Sequence, residues 1–350
     1  MRLVVKFGGS SLRHDFHDAV QLVKMLRDEN EIAVVVSALK GITDKLELLS
    51  KTRDIKILKS ILLDYASLAK KHGIDPGVIN SLSRELSSAF SLNFPDDGIR
   101  RDFILSFGEL FSALIFAQAI DGVFIEPWDI IVTDGNFGNA EVDITKTRNL
   151  FACVIDLMED GKVPVIPGFI GGFRGFRTTL GRGGSDYTAV VAGICIKAKA
   201  VLIMSDVEGI YTADPKVVRE AKPIPFVSYD EALIASKFGM RAIQWKAVKL
   251  ASENEVPLLF GKTRGWWMGT LVSKESSGMP IIAYRLRDTH GIVGVVNAYP
   301  RVPYERISEG ENWIAFKVPK DETEKAVREI HREIMEKYLP FTKVISVIGT

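Results

Sequence analysis

The sequence predicts an α/β fold with a mostly parallel open sheet, followed by a small α+β module. Short β-branched runs alternate with longer helical patterns over the first 275 residues, and such alternation is typical of parallel strands joined by helices. Polar or glycine residues follow these strand-like runs, at the edge where open α/β sheets bind ligands. Near residue 278 the pattern changes to strands with one charged helix. We therefore predict two domains, residues 1–278 and 279–350.

The larger predicted domain contains strand-like runs separated by helical sequence. Strands are expected at Leu3 to Phe7, Ile32 to Ser37, Ile130 to Thr133, Val163 to Ile166, Val201 to Met204 and Pro257 to Phe260. Helices are expected from about Phe16, from Ile42 onward, and over residues 45–94, 106–119, 145–158, 186–196 and 228–253. Breaks are expected at 73–77 and 93–98, because Pro76 and Pro95 interrupt the helical pattern there.

In the smaller predicted domain, strands and helices alternate less regularly. Strands are expected at Ile281 to Arg285, Gly291 to Ala298, Asn312 to Val318 and Val344 to Ile348, with a charged amphipathic helix from Glu322 to Lys337. Three strands before one helix indicate an α+β module instead of another strand-helix-strand unit.

Composition and charge exclude several classes of function. The 350 residues are 47% hydrophobic, and their formal net charge is +1, so no overall field gathers nucleic acid or an anionic membrane. No apolar stretch reaches the roughly 18 residues of a spanning helix, and the N-terminus begins with strand-like sequence instead of a leader. We expect a cytoplasmic protein without nucleic-acid or membrane partners.

The cysteines and histidines do not form a metal-binding pattern. Cys153 and Cys195 lie in apolar stretches, and the five histidines are scattered. Neither residue type has the spacing of a zinc site or a disulfide framework. We predict reduced, buried thiols and no resident metal site.

The most informative motif is Gly181 to Asp186, GRGGSD, which opens into the apolar pattern beginning at Ala189. Its glycines allow positive φ, so backbone N–H groups can turn inward, and a following helix adds positive partial charge. The motif therefore predicts a strand-to-helix turn built around a phosphate or a carboxylate.

Three other polar segments are candidates for a binding site. Lys6 to Ser11, KFGGSS, places an ammonium beside two glycines and two hydroxyls, which suits phosphate binding; a solvated lysine is the alternative. Ser37 to Thr43, SALKGIT, supplies hydroxyls, although Thr43 is also interpreted as a helix cap. Ser106 to Glu109, SFGE, has the pattern of a helix start, where Glu109 either favours the helix dipole or recognises an ammonium group.

The segment SDVEGIYTADPK, Ser205 to Lys216, follows a predicted strand. Asp206, the flat ring of Tyr211 and the turn before Lys216 are suited to a nucleoside pocket with a cation for phosphate; a surface loop is the alternative. Two nucleotide motifs do not fit: Asp186 occupies the third glycine position of the dinucleotide fingerprint, and Val256 occupies the first glycine position of a Walker A loop.

Taken together, KFGGSS, SALKGIT, SFGE, TTLGRGGSDYTA and SDVEGIYTADP occur in an order and spacing similar to those of aspartate kinases of the amino-acid kinase superfamily. The chain resembles that family over residues 1–275. The resemblance implies a three-layer α/β/α kinase fold and the reaction of L-aspartate with ATP and Mg²⁺ to give 4-phospho-L-aspartate, the first step of lysine, threonine and methionine biosynthesis. Alternatives are a relative that phosphorylates glutamate or carbamate, and a non-catalytic amino-acid sensor.

The resemblance also implies roles for individual residues. The catalytic positions are Lys6, which contacts the transferring phosphoryl group, and Asp186. The substrate-binding positions are Ser37, Thr43, Glu109, Arg182 and Asp186, with Arg182 on the α-carboxylate and the two acids on the ammonium. The ATP-binding positions are Lys6, Gly8, Gly9, Ser10, Ser205, Asp206, Tyr211, Lys216 and Arg241.

The chain departs from the family pattern in three places. Arg241 stands where a lysine is common, and Lys216 where an arginine is common. The tail resembles one truncated ACT-like module whose first helix is missing, where the family usually carries two ACT modules that bind feedback amino acids. We therefore expect weak or no inhibition by lysine or threonine. A remnant of this kind can bury a face against a second subunit, so we expect a homo-oligomer, a dimer.

Overall fold

The computed structural model describes residues 1–240 and 242–338. Arg241 and the predicted strand Val344 to Ile348 lie outside the described residues. The strands are β1 (Arg2–Phe7), β2 (Glu31–Val36), β3 (Val123–Phe124), β4 (Pro164–Pro167), β5 (Ile170–Phe173), β6 (Phe176–Thr179), β7 (Ala200–Ser205), β8 (Phe226–Ser228), β9 (Leu258–Lys262), β10 (Trp267–Ser273), β11 (Ile281–Leu286), β12 (His290–Val296), β13 (Glu305–Gly310) and β14 (Trp313–Pro319).

The helices occupy most of the sequence between the strands. They are α1 (Gly9–His14), α2 (Phe16–Leu26), α3 (Ile42–Thr52), α4 (Ile55–Lys71), α5 (Asn80–Ser88), α6 (Asp97–Ile120), α7 (Pro127–Ile130), α8 (Ile144–Leu150), α9 (Ala152–Glu159), α10 (Gly184–Cys195), α11 (Tyr229–Lys237), α12 (Trp245–Glu253) and α13 (Thr323–Tyr338). Several begin at side-chain caps: Asp54, Asp96 and Asp143 accept first-turn N–H groups.

Eight strands form one sheet in the order β3-β4-β2-β1-β7-β9-β10-β8. All neighbouring pairs are parallel except β9 with β10. Strands β1 and β2 are buried on both faces, which explains why, apart from Lys6 and the first residue of each strand, their sequence is apolar. The mostly parallel open sheet predicted from the sequence is therefore confirmed.

Helices cover both faces of this sheet. On one face Val5 and Phe7 pack with residues of α2 to α6, and on the other Val4 and Val35 pack with residues of α9, α10 and α12. The alternation along each strand follows from the two-residue period of a β-strand. The result is the three-layer α/β/α arrangement.

Helix α6 is the longest helix of the described residues and lies in the core. Its 24 residues are long and apolar enough to cross a membrane, so the prediction that no apolar stretch has this length was wrong. However, 78% of its apolar window is buried inside the fold. Burial on nearly all sides explains why it is apolar all round.

The C-terminal module is an antiparallel sheet in the order β11-β12-β14-β13, with one helix. Residues such as Ile282 and Val293 face α13, whereas the intervening Ala283 and Ile292 face Phe238 at the end of α11. Residues 297–304, all of them described, contain no helix, and Glu305–Gly310 form strand β13. The stretch between the second and third predicted strands therefore contains no helix, as the sequence predicted.

Several sequence predictions were wrong. Ile130 to Thr133 is not a strand: Pro127 starts the short helix α7, and Val132 N–H donates to the Thr147 hydroxyl. The long helix over residues 228–253 is two helices, because Gly239 adopts φ +104° between them. Cys153 is exposed; Cys195 is buried as predicted, and burial raises the pKa of its thiol to about 12.

Strands β3, β5, β6, β8, β10 and β13 were not predicted. Strand β13 contains three charged residues and is exposed except at its last residue, and β5 contains two consecutive glycines. Neither shows the apolar alternation from which strands are recognised.

Candidate active site

A cavity of about 520 Å³ opens at the carboxyl edge of the large sheet. Its wall contains all six residues that the sequence analysis assigned to catalysis or substrate binding. These are Lys6, Ser37, Thr43, Glu109, Arg182 and Asp186. They come from four separate segments of the chain, and the fold brings them together.

The turn between β6 and α10 forms one side of the cavity, as the glycine motif predicted. Gly181 and Gly183 have φ of +77° and +75°, a conformation that side chains other than glycine rarely adopt. Gly183 is the N-cap of α10, whose first turn contains Asp186. The helix N-terminus and the exposed Arg182 together direct positive charge at the cavity, which suits an anion.

Lys6 and Asp186 form a buried ion pair on the floor of the cavity. Lys6 Nζ lies 2.6 Å from Asp186 Oδ1, and both residues are more than nine-tenths buried. Lys6 shares a strand face with Val4, which packs with α10 residues. The alternative interpretation of Lys6 as a solvated surface lysine is therefore wrong. Its pairing with Asp186 holds the ammonium in one place.

Glu109 lies in the middle of α6, not at the helix start that its sequence pattern predicted. Glu109 is 4% exposed, and within the described part of the chain its Oε2 has no hydrogen-bond partner. Burial raises the pKa of Glu109 to about 8, although the Ala38 backbone N–H and the Lys6 charge lower it. A buried carboxylate oxygen without a partner is costly unless a ligand supplies the hydrogen bond.

The segment after β2 contributes the opposite wall. Gly41, with φ +84°, is the N-cap of α3, so Thr43 lies in the first helical turn and is not the predicted cap. Thr43 is exposed and Ser37 half-buried, and both border the cavity. Their hydroxyl groups are therefore available to a ligand.

Asp102 is a site residue that the sequence analysis missed. It is fully buried, and its Oδ2 accepts hydrogen bonds from the N–H groups of Gly138 at 2.8 Å and Thr179 at 2.7 Å. Its Oδ1 accepts one from the Thr179 hydroxyl at 2.8 Å. Burial raises the pKa of Asp102, although these hydrogen bonds lower it.

Asp102 thereby fixes the glycine turn relative to Glu109. Thr179 ends β6 directly before the turn, Gly138 borders the cavity, and Asp102 and Glu109 share helix α6. The signal in the sequence was an acidic residue seven positions before Glu109, which is two turns earlier on the same helix face.

A second pocket of about 260 Å³ contains three of the predicted ATP-binding residues, Asp206, Tyr211 and Lys216. The Ser10 hydroxyl donates to Asp206 Oδ2 at 3.0 Å, so the segment after β1 contacts a residue of this pocket. Gly8 and Gly9 lie in the same turn, at the carboxyl end of β1 beside β7. Ser205 contacts Val207 at the end of β7 and does not border the pocket.

Comparisons with known proteins concern the family and the fold of the chain. The model of the amino acid kinase family matches residues 1–262. The chain is 31% identical over 278 residues to chloroplastic aspartokinase 1 of Arabidopsis thaliana, covering 73% of this chain and 49% of that protein. It is 30% identical over 302 residues to lysine-sensitive aspartokinase 3 of Escherichia coli, covering 80% and 66%.

The fold comparison extends further along the chain. The crystal structure of E. coli aspartokinase III in complex with aspartate and ADP superposes with a TM-score of 0.85 at 22% identity, covering 96% of this chain and all of that chain. At this identity the likeness shows the fold. The alignment with the Arabidopsis protein spans about half of that relative's length.

Proposed function

Since the chain belongs to the amino acid kinase family, we propose that it is an aspartate kinase. It transfers the terminal phosphoryl group of ATP to the side-chain carboxylate of L-aspartate, giving 4-phospho-L-aspartate and ADP. This reaction is the first step of lysine, threonine and methionine biosynthesis. The names of the relatives support this substrate.

The observation that carries the proposal is the buried, unpartnered Oε2 of Glu109 in a cavity that the exposed Arg182 also lines. An α-amino acid supplies the ammonium that Glu109 lacks and a carboxylate for Arg182, whose planar guanidinium binds carboxylates in a bidentate manner. Because Asp186 already forms an ion pair with Lys6, Glu109 is the main residue that binds the substrate ammonium.

Catalysis rests on alignment and charge neutralisation. The substrate carboxylate is ionised at neutral pH and needs no general base. Lys6, held by Asp186 at 2.6 Å, stabilises the negative charge of the phosphoryl group during transfer. The turn of Gly8, Gly9 and Ser10 offers N–H groups to the phosphates.

Mg²⁺ fits this arrangement as an ion held largely by the nucleotide. Mg²⁺ is commonly bound by one or two carboxylates together with substrate phosphates, and Asp206, hydrogen-bonded to Ser10, offers such a carboxylate. Among residues 1–240 and 242–338, no group of three His, Cys, Asp or Glu side chains is placed to hold a metal. When bound, the ion neutralises charge on the phosphate oxygens.

A coupled assay of ADP release with aspartate, glutamate and carbamate tests the proposal. We expect aspartate to exceed glutamate in kcat/KM by about 10- to 200-fold, the usual discrimination for one methylene. Carbamate lacks the ammonium that Glu109 requires and should be a poor substrate. A preference for glutamate or carbamate would assign the chain to another activity of the family, and aspartate binding without ADP release would make it a sensor.

The oligomeric state is a separate proposal. The chain forms a homodimer through its C-terminal module, whose edge strand β13 is exposed along its length. Light scattering coupled to size-exclusion chromatography tests this, and a single monomeric species at micromolar concentration would contradict it.

A further inference from the structure

The nucleotide-side pocket lies at the junction of the two sheets. One side is the loop after β7, with Asp206, Tyr211 and Lys216, and the opposite side is strand β11, residues 281–284. Strand β11 belongs to the C-terminal module, not to the eight-stranded sheet. The pocket is therefore incomplete without the module.

The loop after β7 shares a hydrophobic core with the module. Ala213, Val217 and Val218 are buried in one cluster with Ile282 of β11 and with residues of α13. Since burying apolar surface is the main favourable term in packing, this part of the loop is held by the module.

Thr212 makes the polar contacts across the same junction. It is fully buried; its C=O accepts the Ile282 N–H at 2.8 Å, and its Oγ1 accepts the Lys222 N–H at 3.1 Å. The same Oγ1 lies 3.0 Å from Nε2 of His331 on α13. His331 is itself buried, and burial lowers its pKa, so the ring is neutral near pH 7.

The opposite rim of the pocket also touches β11. Gly239 follows α11 with φ +104°, and a Cβ atom there would lie 2.2 Å from the Tyr284 carbonyl oxygen. Only glycine permits this approach without a shift of backbone. Both rims of the pocket are therefore set by their contacts with the module.

We propose that the C-terminal module is a structural part of the nucleotide site, and that the Thr212–His331 hydrogen bond supports nucleotide affinity by holding the loop after β7 against β11. The inference rests on the proposed function, since it takes the ligand of this pocket to be an adenine nucleotide. Neither Thr212 nor His331 borders the pocket, so both are positioning residues that act through Tyr211 and Ala213.

Calorimetric titration of the full chain with ADP, together with steady-state kinetics, tests the inference. Thr212→Val and His331→Leu should each weaken ADP binding and raise the ATP KM by about threefold to tenfold, as expected for one lost buried hydrogen bond. The aspartate KM should stay unchanged. Thr212→Ser keeps the hydroxyl and should retain the affinity of the unaltered chain.

Ile334→Val is the matched control. Ile334 is buried on α13 in the same core. Its side chain forms no hydrogen bond to Thr212, so ADP affinity should be unchanged. Equal weakening by Ile334→Val, or unchanged affinity in both Thr212→Val and His331→Leu, would overturn the inference and leave the proposed function intact. Failure of the unaltered chain to bind ADP would overturn both.

Discussion

The two pockets of this chain are built differently. In the substrate cavity three ionic groups are buried within the larger domain: Lys6 pairs with Asp186, and Glu109 lies in the middle of a core helix. Arg182, at the glycine turn, is exposed. In the nucleotide-side pocket the charged groups, Asp206 and Lys216, are exposed, and the walls come from two domains. Preorganised buried charge suits the reacting groups, where charge changes during transfer, whereas a nucleotide needs mainly surface and shape.

Lys6→Ala should give the largest effect, because it removes the charge at the reacting end of the substrate cavity. Losing a group that stabilises transferring charge costs about 3 to 4 kcal/mol, or about a hundredfold or more in kcat. ADP-release kinetics measure the change, with thermal melting to follow folding, since Asp186 loses its buried partner. Lys24→Ala, on the exposed side of α2, is the control. Near-normal turnover in Lys6→Ala would mean that the buried pair is structural only.

Glu109→Gln should separate the two pockets most clearly. The amide cannot neutralise an ammonium, and a hydrogen bond to a charged group contributes about 1.5 to 3 kcal/mol. At pH 9, where the Glu109 carboxyl is mostly ionised, the aspartate KM should therefore rise by about 10- to 100-fold. The ATP KM should change little. Kinetics with each substrate varied in turn measure both constants, and a larger rise in the ATP KM would move Glu109 out of the substrate site.

The pH dependence of the aspartate KM sharpens the same contrast. Burial raises the pKa of Glu109 to about 8, so the carboxyl is mostly neutral at pH 7 and mostly ionised at pH 9. Only the ionised form pairs with the ammonium, so the aspartate KM should fall by about tenfold between these pH values. The same titration with Glu109→Gln should lose this fall. A flat profile in the unaltered chain would mean that Glu109 is already ionised at neutral pH.

Asp102→Asn should have a smaller effect, again confined to the substrate side. The amide retains the size of the side chain, but its NH2 group cannot accept a hydrogen bond, so it cannot keep all three bonds from Gly138 and Thr179. The glycine turn is therefore held less firmly. We expect the aspartate KM to rise by about threefold to tenfold, with the ATP KM unchanged. Asp97→Asn, at an exposed position of the same helix, should behave like the unaltered chain; parallel rises in both KM values for Asp102→Asn would indicate general loosening.

Lysine and threonine should have the smallest effect. The module contributes a wall to the nucleotide pocket, yet residues 297–304, where the first helix of an ACT module is expected, form none. We expect millimolar lysine or threonine to change the rate by less than about twofold, because the usual effector-binding surface is shortened. Strong inhibition by either amino acid in the ADP-release assay would show that the module is also a sensor.

The sequence predicted much of the fold because its signals were local. The buried strands β1, β2 and β7 are rich in valine, isoleucine and other apolar residues, and the turn at Gly181 to Gly184 requires positive φ that glycine supplies. Exposed strands such as β13 lacked that signal and were missed. Glu109 was named correctly as a cavity residue but misplaced at a helix start, since its motif resembles a cap when read alone.

By itself, the sequence determined the order of the strands along the chain, the glycine turn and the motifs that identify the family. Tertiary structure decided which residues of these segments contact each other, such as Lys6 with Asp186 and Thr212 with His331. The pKa of Glu109 is also a tertiary property, because desolvation depends on every segment packed around the carboxylate. Turn and strand preferences act between neighbours in sequence, whereas burial and ion pairing join residues that only the folded chain brings together.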